Sequence, residues 1–293
     1  MLIDRFGRVI TNLRISVTSR CNLSCFYCHR EGYSAENELS VEEIGEIGRA
    51  FRTLGVKKVK ITGGEPLVRS DIAEIVGVLN IFDETSMTTN GIKLGKLASE
   101  LKEAGLSRVN VSLDTLDEEK YKLLTRGGEL KKALNGISEA VSVGLTPVKL
   151  NMVVMKGINV DEMWEMVDFA REFRGDVILQ LIELMKLPWN ENNYYDLSEI
   201  EKELKKIASK VKVRNMQRRR QYFLDGVVVE VVKPYDNSEF CKACNRIRVT
   251  ADGKIKPCLM RNDNLVDIRG LKGKDLISAI KKAVQLREPY YKG

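Results

Sequence analysis

Apolar and polar residues alternate over Leu13-Arg14-Ile15-Ser16-Val17, the period of a half-buried strand. The period then changes. From Ser40 to Leu54, residues Ile44, Ile47, Ala50, Phe51 and Leu54 recur at helical spacing, with Ser40 and Glu43 placed as a capping box and Gly55 as the stop. The alternation of the two periods continues. Strands are predicted over Val56 to Thr62, Ser86 to Thr89, Arg108 to Asp114, Val148 to Val154 and Val177 to Leu184. Helices are predicted over Asp71 to Leu79, Leu94 to Ala104, Leu130 to Val143 and Val160 to Phe173. Strands alternating with helices make parallel strands with right-handed crossovers. About six such units run from Leu13 to Leu184, fewer than the eight that close a barrel, so the expected fold is α/β, an open, partial β/α barrel. In such sheets the chemistry gathers at the C-terminal ends of the strands, and Cys21, Gly63-Gly64, Thr88, Ser112 and Lys149 are expected at or near those ends.

The pattern shifts at the polar stretch Pro188-Trp189-Asn190-Glu191-Asn192-Asn193. This divides the chain into a barrel, residues 1–190, and a C-terminal α+β extension, residues 191–293. The extension reads as a helix over Leu197 to Ala208, a valine-rich strand over Val227 to Lys233, a hairpin from Ile247 to Ile255 turning at Asp252-Gly253, and a helix over Leu276 to Leu286. No fixed-length repeat or low-complexity segment interrupts it.

Composition adds bounds rather than detail. At 293 residues, 43% hydrophobic and 30% charged, the chain has a globular profile. No apolar run approaches the ~20 residues of a membrane span, and Met1-Leu2-Ile3-Asp4-Arg5 lacks a signal-peptide core. A cytoplasmic setting is therefore expected, and in that reducing compartment cysteines serve more often as metal ligands than as disulfides. The net charge of +7 favours anionic partners; a nucleotide, a nucleic acid and plain solubility all satisfy it. The basic run Arg218-Arg219-Arg220, with Lys205, Lys206, Lys210 and Lys212 upstream, reads by default as a solvated face.

The six cysteines change the picture. They form two triplets, Cys21, Cys25 and Cys28 at C-x3-C-x2-C spacing, and Cys241, Cys244 and Cys258 at C-x2-C-x13-C. Thiolates ligate iron–sulfur clusters and zinc alike, so the spacings leave both open. The hairpin can return Cys258 to the side of Cys241 and Cys244. Each triplet supplies three ligands and no obvious fourth. Arg246 and Arg248 alternate on one strand face, where two guanidiniums can chelate phosphate bidentately or be merely solvated. Gly63-Gly64-Glu65-Pro66 after a strand is either an ordinary turn or a close approach to a ligand.

The first triplet, with Tyr27 before its last cysteine, resembles the signature of the radical S-adenosylmethionine (SAM) superfamily. Together with Leu13 to Asn22 and the second triplet, it resembles the GTP 3′,8-cyclase family of molybdenum cofactor biosynthesis, from about Arg14 to Cys258. The resemblance implies two 4Fe–4S clusters, on Cys21, Cys25 and Cys28 and on Cys241, Cys244 and Cys258, the second carried by the C-terminal extension and meeting the purine of the substrate. It implies SAM contacts from Tyr27, Gly64, Ser112 and Met185, and GTP contacts from Arg14, Lys60, Thr88, Lys149, Arg246, Ile247 and Arg248. At Lys60 the family carries arginine; lysine keeps the charge and loses the fork. The implied activity is a lyase reaction: SAM is cleaved reductively, a hydrogen atom leaves C3′ of GTP, and that carbon joins C8. The implied partners are GTP, a reductant such as a flavodoxin or ferredoxin and the downstream enzyme that forms the cyclic pyranopterin. A homodimer is compatible with it, and no membrane or nucleic-acid partner is expected. A radical SAM enzyme that modifies a peptide is the alternative, and Arg246 and Arg248 speak against it. The family's Gly-Gly tail is replaced by Pro289-Tyr290-Tyr291-Lys292-Gly293.

Overall fold

A computed structural model describes residues 1–29, 35, 37–234 and 238–290; the last three residues of the altered tail lie outside that set. The chain opens with β1 (Asn12–Ser16), α1 (Val41–Thr53), β2 (Lys58–Thr62), α2 (Ile72–Leu79), β3 (Glu84–Thr89), α3 (Leu94–Glu103) and β4 (Arg108–Ser112). It continues through α4 (Glu118–Thr125), α5 (Leu130–Ser142), β5 (Val148–Val154), α6 (Met163–Arg171) and β6 (Val177–Glu183). The remainder comprises α7 (Ser198–Ile207), β7 (Lys210–Val213), β8 (Arg220–Leu224), β9 (Val227–Val232), α8 (Ser238–Lys242), β10 (Arg246–Val249), β11 (Lys254–Lys256), β12 (Val266–Asp267) and α9 (Gly273–Gln285). The capping box at Ser40 forms as expected, with the Ser40 hydroxyl accepting from Glu43 N–H and the Glu43 carboxylate accepting from Ser40 N–H.

One sheet contains every described strand, in the order β12-β11-β10-β1-β2-β3-β4-β5-β6-β9-β8-β7. Strands β1 to β6 are parallel neighbours in sequence, the six units expected of an open partial barrel. The extension does not fold apart from them. Its β9 pairs parallel with β6, and its β10 pairs parallel with β1, so it prolongs the sheet at both ends. The expected hairpin is the antiparallel pair β10–β11. Sequence pattern alone missed α4, the antiparallel pair β7–β8 and the short α8.

The two faces of the sheet differ in chemistry. Leu13, Ile15, Val59, Ile61, Met87, Val109, Val111 and Leu150 point to the helices and are buried in one apolar core. The alternate positions point to the concave side. The registers set Arg14 beside Lys60 and Arg248, Lys60 beside Ser86, Ser86 beside Arg108, and Lys149 beside Asn110. Parallel strands covered on both faces are normally apolar throughout. A concave face this polar needs a polar occupant or internal pairing.

Candidate active site

The loop carrying Cys21, Cys25 and Cys28 leaves the end of β1 and is pinned at several points. Ser24 and Phe26 donate their backbone N–H groups to the carbonyls of Thr125 (3.2 Å) and Leu124 (3.2 Å), at the C-terminal end of α4. Asn90 Nδ2 donates to Asn22 Oδ1 at 2.9 Å, and Trp189 Nε1 donates to the carbonyl of Phe26 at 3.1 Å. The Gly63-Gly64 pair holds the start of the loop. Gly64 N–H donates to Thr18 O at 2.8 Å, and Glu65 N–H to Arg20 O at 2.9 Å. A Cβ on Gly64 would lie 2.3 Å from Arg20 O, so glycine is needed for the approach of backbone to backbone. Glu65 is buried and accepts from Thr89 Oγ1 (2.7 Å), Asn90 N–H (2.6 Å) and Leu67 N–H (3.0 Å). Its carboxylate ties the β2 turn to the end of β3.

Tyr27 sits between the cluster loop and the barrel. Its hydroxyl donates to Asp114 Oδ2, and Asp114 Oδ1 accepts from Val153 N–H at 2.8 Å. Burial pushes the Asp114 carboxyl up to about 6, against the pull of those two donors. The rings of Phe26 and Tyr27 pack on a small apolar cluster of Leu124, Met155 and Leu184, to which Met185 is adjacent in sequence. Ser112 ends β4 in register with Asn151. Tyr27, Gly64, Ser112 and Met185 thus lie on the strand ends and turns around one rim.

The concave face below that rim is crowded with cations. Lys60 donates to Asn110 Oδ1 at 2.5 Å. Burial, then the charges of Arg108, Arg14, Arg246 and Lys149, hold its ammonium well below the usual lysine range. Burial and the neighbouring Arg219, Arg14 and Arg248 likewise depress Arg246. Among the described residues no carboxylate forms an ion pair with Arg246 or Arg248, and Arg248 Nε is buried without a hydrogen-bond partner. Thr88 lies on the same face, half-buried. Ile247 turns its side chain into the core, leaving only its backbone toward the site.

Lys149, the second residue of β5, stands at the start of its strand and not near the C-terminal end expected of it, and it is held differently. It donates to Glu230 Oε2 at 2.9 Å, and Arg214 and Arg219 reach the same carboxylate at 2.9 and 3.2 Å. Burial nonetheless lowers Lys149 to about 8, while the three cations hold Glu230 far below the usual carboxylate range even though it is fully buried. Arg219 corrects the expectation of a solvated basic run: Arg218 and Arg220 are exposed, but Arg219 is buried in the site beside Gln180 and Gln217. Sequence reasoning also missed Glu230, Asp114 and Asn110. A single acid inside Val-Val-Val-Glu-Val-Val was the available signal for Glu230.

The second triplet stands where the hairpin meets the start of β10. Cys241 and Cys244 flank the end of α8, with Cys244 N–H donating to Cys241 O at 3.0 Å. Arg248 is in register with Lys256, and Cys258 follows two residues after the end of β11. No disulfide joins any of the six cysteines. Among the described residues no three Cys, His, Asp or Glu side chains converge closely enough to hold a metal ion directly. The donor chemistry of both triplets fits an iron–sulfur group. Burial, then Asp114 and the thiols of Cys28 and Cys21, push Cys25 up to about 12, a penalty that a bound metal centre offsets by favouring thiolate. Cys244 moves the other way: burial opposes ionisation, but Arg287, Arg248 and Arg246 outweigh it.

The comparisons with known proteins cover the whole chain. The Radical SAM superfamily profile matches residues 15–170, and the Molybdenum Cofactor Synthesis C profile matches residues 177–293. A protein of Archaeoglobus fulgidus named "Probable GTP 3′,8-cyclase" is 56% identical over all of both chains. One of the same name from Methanocaldococcus jannaschii is 49% identical over 99% of each. Among solved structures, Streptococcus suis SuiB bound to S-adenosylmethionine superposes with a TM-score of 0.69 at 18% identity, over 94% of this chain and 64% of that one. Native anSMEcpe with bound AdoMet gives 0.56 at 16% identity, over 92% of this chain and 81% of that one. These two likenesses establish the fold; the full-length relatives establish the family. The chain belongs to the radical SAM superfamily and, within it, to the GTP 3′,8-cyclase family.

Proposed function

We propose that this protein converts GTP to (8S)-3′,8-cyclo-7,8-dihydroguanosine 5′-triphosphate, the first step of molybdenum cofactor biosynthesis. The observation that carries the reading is the set of cations on one concave face, Lys149 and Arg248 buried and Arg14, Lys60 and Arg246 partly so, in a chain whose full-length relatives bear the cyclase name. Cations crowded together and desolvated are costly unless an anion of high charge completes them. A triphosphate supplies that charge. A peptide does not, which disfavours the peptide-modifying alternative.

Cys21, Cys25 and Cys28 would hold one 4Fe–4S cluster, and Cys241, Cys244 and Cys258 a second. With SAM bound at the first, the cofactor supplies an adenosyl radical able to take a hydrogen atom from C3′ of the nucleotide. The protein's own part is placement. Tyr27, fixed by Asp114, presents an aromatic edge to the adenine; Gly64, Ser112 and Met185 complete the SAM rim. Arg246 and Arg248 grip the triphosphate with forked guanidiniums, Arg14, Lys60 and Lys149 add charge from neighbouring strands, Thr88 adds a hydroxyl, and Ile247 adds backbone contact. The guanine then lies toward the second triplet. Residues 1–190 carry SAM and its cluster; residues 191–293 carry the second cluster and close the site over the nucleotide.

An electron donor of the flavodoxin or ferredoxin kind, a downstream enzyme that forms the cyclic pyranopterin, a cytoplasmic setting and a homodimeric arrangement accompany this reading. Among the described residues no helix is long and apolar enough to cross a membrane. The test is an anaerobic reaction of the reconstituted, reduced protein with SAM and GTP, read by mass spectrometry. Cyclised nucleotide and 5′-deoxyadenosine are expected together. Cys21→Ala abolishes both, whereas Cys258→Ala spares uncoupled SAM cleavage more than cyclisation; equal loss of both in a folded Cys258→Ala protein refutes the division between the two sites.

A further inference from the structure

The turn between Cys241 and Cys244 is gripped from both ends of the chain. Arg8, near the N-terminus, donates from Nη1 to the carbonyl of Cys241 at 3.0 Å. Arg287, just after α9, donates from Nη2 to the carbonyl of Cys244 at 2.8 Å. Both guanidiniums meet on one buried carboxylate: Asp4 Oδ2 accepts from Arg8 Nε at 2.6 Å and from Arg287 Nη1 at 2.6 Å. The other oxygen, Oδ1, accepts the N–H groups of Phe6 and Arg8, each at 3.0 Å, which folds residues 4–8 into a tight turn. Arg8 also holds the carbonyls of Glu288 (2.6 Å) and Pro289 (3.1 Å). Between the cysteines and β10, Asn245 is zipped to the start of β1 by Thr11 N–H, Asn12 N–H and its own side-chain bond to Thr11 Oγ1.

Nothing in the catalytic reading uses this network, and its cost is considerable. The side chains of Asp4 and Arg287 are 0% and 4% exposed, and the three groups carry one net positive charge out of water. A network built only to fasten two termini could be apolar. This one delivers two charged donors to the backbone carbonyls of two ligand-bearing residues. Hydrogen bonds and charge around the ligands of an iron–sulfur cluster are what set its potential.

We propose that Asp4, Arg8 and Arg287 are positioning residues for the second cluster, fixing the Cys241–Cys244 turn and setting the cluster's reduction potential through their net positive charge. The inference rests on the reading of Cys241, Cys244 and Cys258 as cluster ligands. Reduction adds negative charge to the cluster, so a nearby positive charge favours the reduced form and raises the potential. Neutralising Arg287 takes the trio from one net positive charge to none. Neutralising Asp4 takes it from one to two. The two substitutions break the same network but act on the charge in opposite senses.

The experiment uses the full chain with Cys21, Cys25 and Cys28 replaced by alanine, so that the remaining iron belongs to the second site. An anaerobic redox titration followed by electron paramagnetic resonance compares this parent with Arg287→Gln, Arg287→Lys and Asp4→Asn. Arg287→Gln is expected to shift the potential negative, Asp4→Asn to shift it positive, and Arg287→Lys to stay near the parent. Shifts of the same sign, or none, overturn the proposal, because a merely structural role cannot distinguish the two charges. Where Arg287→Gln does not fold, Arg8→Gln takes its place with the same expected sign. A parent that binds no iron refutes the second-cluster reading itself, an outcome distinct from a cluster whose potential does not respond.

Discussion

Replacing Arg248 by methionine should make the protein more stable and worse at binding GTP. Arg248 faces the concave side, 7% exposed, in register with Arg14 on one flank and Lys256 on the other. Neighbouring strands are about 4.8 Å apart, so charged ends about 8 Å apart at an effective dielectric of about 20 repel by ~2 kcal/mol per pair. Methionine conserves much of the buried volume, at a packing cost below about 1.5 kcal/mol. Buried Nε has no hydrogen-bond partner to lose. The net expected gain without nucleotide is about 1–3 kcal/mol, seen as a rise of roughly 2–6 °C in Tm. Binding changes the other way. A charge-assisted hydrogen bond to phosphate contributes about 1.5–3 kcal/mol, so the Kd for GTP should rise roughly 10- to 150-fold. The assays are thermal unfolding of the reconstituted protein with and without GTP, and calorimetric titration with GTP. Lower stability together with unchanged GTP affinity would instead make Arg248 a structural residue and not part of a strained anion site.

Three other outcomes follow from the same geometry. Lys149, lowered from 10.5 to about 8, is protonated less readily folded than unfolded, so its contribution to stability without nucleotide rises with pH between about 8 and 10.5. GTP affinity should fall through that window as the ammonium is lost, and a pH series of Kd values for wild type and Lys149→Met, which should lack the step, checks it. Glu230→Gln leaves Lys149, Arg214 and Arg219 buried without their shared carboxylate and should cost about 3–5 kcal/mol in denaturant unfolding, with added GTP restoring part of it. Gly64→Ala drives a Cβ against Arg20 O and should displace the first cysteine loop; iron analysis should find the first cluster lost and the second retained.

How far the sequence carries differs from element to element. The six parallel strands and the helix at Val41–Thr53 follow from period and capping, because local pattern and tertiary burial agree there. Arg14, Lys60 and Lys149 were pointed to by the family resemblance alone, and the strand registers then set them on the concave face. Glu230 was hidden because its strand is valine-rich and reads as plain core. Arg219 was hidden by composition, since Arg218 and Arg220 on either side are exposed and make the run look solvated. The joining of β10 to β1 and of β9 to β6 spans long separations in the chain, and no local pattern encodes such pairing. The Asp4–Arg8–Arg287 network is of that kind too, assembled from the two ends of the chain. Helix α4 escaped because its few apolar residues make a weak stripe, yet its C-terminal carbonyls anchor the first cysteine loop.

In the proposed reaction, this barrel places C3′ of GTP against the radical generated at the first cysteine triplet. The most direct measurement uses GTP carrying deuterium at C3′, in an anaerobic reaction with SAM and a reductant, with the 5′-deoxyadenosine analysed by mass spectrometry. The 5′-deoxyadenosine formed alongside cyclised nucleotide is expected to carry one deuterium. Cyclised nucleotide accompanied by unlabelled 5′-deoxyadenosine would contradict it.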